Sequence, residues 1–259
     1  MKKLIIANWK MNPETIEQAR LLVTGLEHRM HQVLEKTDVV ICPPFTFLAP
    51  LSHYSHLTKI GAQNVSWAAS GAFTGEISAN MLKNWKTQFV ILGHSERRLY
   101  LGETDSMVNA KIIACLNAKL TPVVCLGGEE GALKADMKSL VSKQFLQVIK
   151  GLDKKHIEKI IFVYEPIWAI STMKGSTPAT GEHAEEFIEY IRSLVAKKIA
   201  KDRAADMQIL YGGTVNRDNV HDFARFPRID GVLVGASSLD RDNFWEIINE
   251  FARESIHKS

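Results

Sequence analysis

Glu165 closes the apolar run Ile160-Ile161-Phe162-Val163-Tyr164 and precedes Pro166-Ile167-Trp168. A carboxylate in apolar surroundings holds a proton more readily than one in water, which suits it to take a proton from carbon. A plainer role is partner to Lys10 or to an arginine. His94 stands in Gly93-His94-Ser95-Glu96-Arg97-Arg98, where Ser95 reads as a helix N-cap. An imidazole at a helix start is kept neutral by the peptide dipoles and can then donate to a substrate oxygen; alternatively it is a helix-start histidine with no chemistry. Lys10, just after Asn8-Trp9, is either a lysine reaching out to water or a positive charge for an enolate-forming, phosphorylated substrate.

Two glycine-bearing segments, Gly212-Gly213-Thr214 and Gly235-Ala236-Ser237-Ser238, have the makings of an anion cradle. Glycine lets backbone approach closely, and amide N–H groups at a helix start present partial positive charge. Either segment alone reads equally well as a tight turn; the two together favour phosphate. The set as a whole, a base, a neutral donor, a lysine and a cradle with no metal or cofactor motif, fits proton abstraction beside a carbonyl of a small phosphorylated substrate.

Behind these residues lie eight short apolar runs, at 4–9, 39–42, 59–64, 89–93, 122–126, 160–164, 208–212 and 231–235. Most are near-continuous in Val, Ile and Leu, as in strands covered on both faces. Amphipathic stretches separate them. Pro13-Glu14 opens a helix predicted to run towards Leu34, and a second is predicted from Pro178 to Ala200. With no linker between halves, the pattern predicts one α/β domain over residues 1–259, a closed (β/α)8 barrel, with an open doubly wound sheet as the alternative. The polar candidates then all fall at carboxyl ends of strands, where barrels place their chemistry.

The chain has 259 residues, 46% hydrophobic, and a net charge of +3, enough for one large core and too little charge to direct function. The densest basic stretch, Lys197-Lys198-Ile199-Ala200-Lys201-Asp202-Arg203, lacks interleaved aromatics and reads as a solvated helix end, not a nucleic-acid surface. Cys42, Cys115 and Cys125 are odd in number and sit in apolar neighbourhoods, as buried free thiols do. The pairs His28/His31 and His53/His56 lack companion metal ligands. The apolar run after Met1-Lys2-Lys3 is too short for a signal peptide, and nothing approaches a membrane span, so a soluble, cytoplasmic protein is expected.

Taken together, the motifs resemble those of a known family. Asn8-Trp9-Lys10-Met11-Asn12, Gly61-Ala62-Gln63-Asn64, Phe73-Thr74-Gly75-Glu76, Gly93-His94-Ser95-Glu96-Arg97-Arg98, Tyr164-Glu165-Pro166-Ile167-Trp168-Ala169-Ile170 and Tyr211-Gly212-Gly213 are similar to motifs of triosephosphate isomerases, in order and over essentially the whole chain. The resemblance implies interconversion of dihydroxyacetone phosphate and glyceraldehyde 3-phosphate without a cofactor. It implies Glu165 as the base between carbons and His94 as the neutral electrophile between oxygens. Lys10 and Asn8 would bind substrate and Glu96 would support, while Ser171, Thr214, Gly235 and Ala236 would meet the phosphate. The segment from Pro166 to Ser176 would be a closing lid, and the loop from Val65 to Glu76 would join two subunits, with Thr74 reaching the partner's site. The chain departs from the family pattern at Ser171, Met173, Gly175 and Ser176 of the lid, and at Thr214, Ala236 and Gly128, the last standing where an acid is usual.

Overall fold

A computed structural model describes residues 1–128, 136–169 and 179–254. The eight strands are β1 (Lys3–Asn8), β2 (Thr37–Cys42), β3 (Lys59–Ala62), β4 (Thr87–Leu92), β5 (Thr121–Leu126), β6 (Ile161–Tyr164), β7 (Ile209–Tyr211) and β8 (Gly231–Val234). All neighbours are parallel and run in chain order, and β8 pairs back onto β1 with Leu4 opposite Gly231 and Ala7 opposite Val234. That last pairing closes the barrel and excludes the open sheet. Gly231 makes the seam possible: a Cβ there would lie 1.8 Å from the Leu4 carbonyl oxygen.

Among the described residues the helices are α1 (Ile16–Met30), α2 (Phe45–Leu51), α3 (Ala79–Lys83), α4 (Ser95–Leu101), α5 (Asp105–Asn117), α6 (Met137–Val148), α7 (Lys154–Ile157), α8 (Gly181–Ala196), α9 (Lys201–Ala205), α10 (Val220–Ala224) and α11 (Arg241–Glu254). The continuous apolar runs are explained by burial on both faces. Leu4, Ile6, Val40, Cys42, Ile91, Val123, Cys125, Val163, Leu210 and Leu233 fill the barrel interior. Their neighbours in sequence, such as Ile5, Ala7, Val39, Ile41, Val90 and Val124, join the larger core that includes α1, α5, α8 and α11.

Strands β2, β4 and β5 begin ahead of their apolar runs and β3, β6, β7 and β8 are shorter than theirs, while both predicted helices are shorter than their patterns suggest, for local reasons. The first helix starts at Ile16, not Pro13, because Thr15 and Gln18 form a reciprocal capping box; it stops at Met30, short of Leu34. The second predicted helix starts at Gly181, where Thr180 accepts the His183 N–H, and ends at Ala196; Pro178 lies outside the described residues. Trp9, Gln63, Asn64, Gly93, Gly212 and Gly235 fall just past their strands, in the loops of one rim. None of the described helices is long and apolar enough to cross a membrane.

Candidate active site

Asn8 is the last residue of β1, and its Oδ1 accepts the Lys10 N–H at 3.1 Å. Lys10 adopts φ +55°, a left-handed conformation that costs a residue with a Cβ roughly 1–2 kcal/mol. The Gln63 amide holds the strained turn in place, donating to the carbonyls of Lys10 at 2.7 Å and Cys42 at 2.9 Å. So oriented, the Lys10 ammonium meets Glu96 Oε1 at 2.5 Å.

After β4 the chain turns at Gly93, φ +67°. The turn is clamped from both sides. Glu103 Oε2 accepts the Gly93 N–H at 3.0 Å, and Arg98 Nε donates to the Gly93 carbonyl at 2.7 Å. His94, and not Ser95, caps α4: its Nδ1 accepts the Glu96 N–H at 3.3 Å. A ring nitrogen that accepts carries no proton, so the proton of the neutral ring sits on Nε2. That nitrogen faces Glu165 Oε1 at 3.1 Å.

Ser95, freed from capping, takes a different part. Its N–H donates to Glu165 Oε2 at 2.9 Å and its hydroxyl to Oε1 at 2.8 Å. Glu165 and Ser95 are each 1% exposed. The carboxylate is therefore deeply buried, as its neighbours in sequence suggest, but polar groups on the β4 side meet both oxygens.

The glycine loops occupy the far side of the same rim. A Cβ on Gly213 would stand 2.0 Å from the Tyr211 hydroxyl oxygen, and one on Gly235 would press on Lys10 Cε at 3.2 Å. Ala236 opens the 3-10 turn Ala236–Leu239 and is not among the positive-φ residues. Thr214 differs from expectation: both its N–H and its hydroxyl donate to the Ala169 carbonyl, at 3.0 and 2.8 Å, so in this structure neither is turned to an anion. Ser171, Met173, Gly175 and Ser176 lie outside the described residues. One cleft is lined by Asn8, Lys10, His94, Glu165, Gly212, Gly213, Thr214, Gly235, Ala236 and Ser237. Glu96 reaches it through Lys10. A larger open hollow of about 770 Å³, between α1 and the start of α11, gathers no comparable set.

Sequence reasoning passed over Ser95 as a holder of the base, and over the buried pair behind it. Lys111 and Glu103, 1% and 3% exposed, are in direct contact, and Lys111 also donates to Asn64 Oδ1 at 2.8 Å. Burial alone would raise the Glu103 carboxyl, but Lys111 and Arg97 outweigh it and hold it below the ordinary carboxylate range. A signal existed: Lys111 interrupts the apolar face of α5 beside buried Val108, Ile112 and Cys115. The three cysteines are free and buried as expected, and burial pushes the Cys115 thiol up to about 12. Among the described residues, His221, Glu250 and Glu254 could together hold a metal ion. They sit on α10 and α11, none lines the cleft, and the His221 ring already meets Glu250 at 2.7 Å.

Strand ends of a closed parallel barrel that bring a carboxylate against a neutral imidazole, with a lysine and an anion cradle in the same cleft, define the class: a barrel enzyme that moves protons on a small anionic substrate. Comparison with known proteins makes this particular. The family profile described as Triosephosphate isomerase matches residues 3–251. The chain is 42% identical to the triosephosphate isomerase of Alkaliphilus oremlandii, covering 96% of this chain and 100% of that one. It is 40% identical to that of Aquifex aeolicus (97% and 100%) and 39% to that of Dictyoglomus thermophilum (95% and 98%). The chain belongs to the triosephosphate isomerase family, and with it to the intramolecular aldose–ketose isomerases. Its reaction is the interconversion of dihydroxyacetone phosphate and D-glyceraldehyde 3-phosphate.

Proposed function

We propose that Glu165, His94 and Lys10 carry this interconversion, through an enediolate and without a cofactor. Glu165 removes a proton from the carbon beside the carbonyl, and the electron pair moves onto the carbonyl oxygen. His94, neutral with its proton on Nε2, donates to that oxygen and takes a proton from the neighbouring one. Glu165 then returns its proton to the adjacent carbon, so atoms and charge balance over the cycle. This division of labour between a carboxylate base and a neutral imidazole is the one already established for triosephosphate isomerases, and the proposal assigns it to these residues. Lys10 and Asn8 bind and polarise the substrate, with Glu96 fixing Lys10. Backbone N–H groups around Gly235 and Ala236 meet the phosphate, joined by Thr214 once it leaves Ala169, and by Ser171. The observation that carries the reading is the 3.1 Å approach of His94 Nε2 to Glu165 Oε1 in the cleft that also holds Lys10. A coupled assay on the purified protein, run from each triose phosphate, tests it. Turnover in both directions is expected, and none in either would overturn the assignment.

The reading extends to a homodimer. Residues 70–76 of the loop from Val65 to Glu76 are all at least partly open to water, and Trp67 and Phe73 are each 43% exposed. Exposed Met81, Trp85, Tyr100 and Leu101 lie on α3 and α4 and the turn between α3 and β4. Apolar surface of this extent is better covered than left in water. Thr74 would reach the partner's site from this loop. Sedimentation at micromolar concentration should show a dimer; a fully active monomer would contradict it. One barrel domain spanning residues 1–259, working in the cytoplasm in glycolysis and gluconeogenesis and with no nucleic-acid or membrane partner, completes the reading.

A further inference from the structure

Among the described contacts, both oxygens of the Glu165 carboxylate are held from the β4 side, by the N–H and hydroxyl of Ser95. Whatever fixes Ser95 therefore fixes the base. Three observations identify what does so. Gly128, just past β5, lies directly on Ser95. A Cβ at Gly128 would stand 2.6 Å from Ser95 Cβ and 2.9 Å from its Cα. Gly128 does not have a positive φ; where the family usually carries an acid, this chain instead seats Ser95 so close that a Cβ would displace it. Gly127, at φ +105°, lies on the other partner: a Cβ would come within 3.0 Å of the Glu165 carbonyl oxygen. Finally Gln144, a polar side chain only 2% exposed on α6, accepts the Gly127 N–H at 2.7 Å. The turn after β5 is thus tied down by Gln144 and seated against the backbones of both Ser95 and Glu165.

We infer that Gln144, Gly127 and Gly128 form a positioning unit for the proton-abstracting base, acting through Ser95. The inference rests on Glu165 being that base. To take a proton from carbon the carboxylate has to release a donor, and the seating of Ser95 sets where it starts and what release costs. A side chain at 128 would push the first turn of α4 outward, moving Ser95 and the adjoining His94 while leaving the loops after β7 and β8 untouched. The consequence belongs to kcat, not to phosphate binding.

The test uses Gly128→Ala, Gln144→Met, Ser95→Ala and the doubles with Ser95→Ala. Gln144→Met removes the acceptor without adding bulk at 128, so it reports if Gly128→Ala fails to fold. Gly128→Ala and Gln144→Met should each lower kcat roughly tenfold or more, since a displacement near 1 Å can cost about a hundredfold, with KM within about threefold. Paired with Ser95→Ala, each loss should be smaller than the product of the single losses, as expected for groups acting through one another. Wild-type kcat in folded variants, or losses that simply multiply, would overturn the proposal. Glu165→Gln measured alongside separates the two failures: if it stays active, the base is misassigned; if it is inactive while the other variants behave as wild type, only the positioning unit falls.

Discussion

The two sides of the rim solve different problems by different means. On the β4–β6 side, the groups proposed to react and the turn that carries them are fixed by side chains: Ser95 on Glu165, Glu103 and Arg98 on Gly93, and Glu103 in turn by Lys111. On the β7–β8 side, shape comes from missing side chains, with Gly213 making room for Tyr211 and Gly235 for Lys10. Moving a proton needs acid and base placed to a fraction of an ångström, which a buried, cross-braced network supplies. Holding an anion needs N–H groups brought close, which bare backbone does. The first kind of site breaks when a partner is removed or its seat at Gly128 is filled, the second when a methyl group is added against Tyr211 or Lys10.

The hardest test of this contrast is Glu165→Gln, which keeps the shape and deletes the proposed base. Isomerisation should fall by at least ~10²–10⁴, the usual worth of a general base, while binding of a phosphate analogue is unchanged. A variant retaining a tenth of wild-type turnover would erase the division. Next comes Lys111→Met, which takes from buried Glu103 its buried cationic partner and leaves it only the more exposed Arg97, at 3.2 Å. Removing one partner of a buried pair costs about 3–5 kcal/mol, and the urea midpoint should fall accordingly; an unchanged midpoint would mean that Gly93 needs no such brace.

A gentler probe of the same brace is acid. Glu103 is held below its ordinary range in the folded protein, so its contribution is in place above the unfolded carboxylate value of about 4.3. It is lost as pH falls through the lower, folded value. Wild type should therefore lose stability on acidification below about pH 4, and Glu103→Gln should flatten that slope. Parallel slopes in the two proteins would assign the acid sensitivity elsewhere. The smallest effect is expected on the glycine side. Ala236 is not in the left-handed region and keeps its N–H, so Ala236→Gly should alter phosphate-analogue affinity less than about threefold. A large gain would show that the alanine methyl obstructs the cradle.

Much of this was legible in the chain. Near-continuous Val, Ile and Leu runs imply strands covered on both faces, and polar residues at their ends imply one functional rim, because both signals are local and periodic. Asn8, Lys10, His94, Glu165, Gly235 and Ala236 all come together where strand-end logic puts them. Capping was not legible in the same way. His94 took the place expected of Ser95 because Glu165, far along the chain, claims the serine's N–H and hydroxyl. Thr214 likewise gives its donors to Ala169. Closure of β8 on β1, the left-handed Lys10 turn braced by Gln63, and the Lys111–Glu103 contact behind Gly93 belong to the same group. Each joins residues remote in sequence, and the energy that selects it, a buried polar group finding its partner, exists only once the barrel has brought them together.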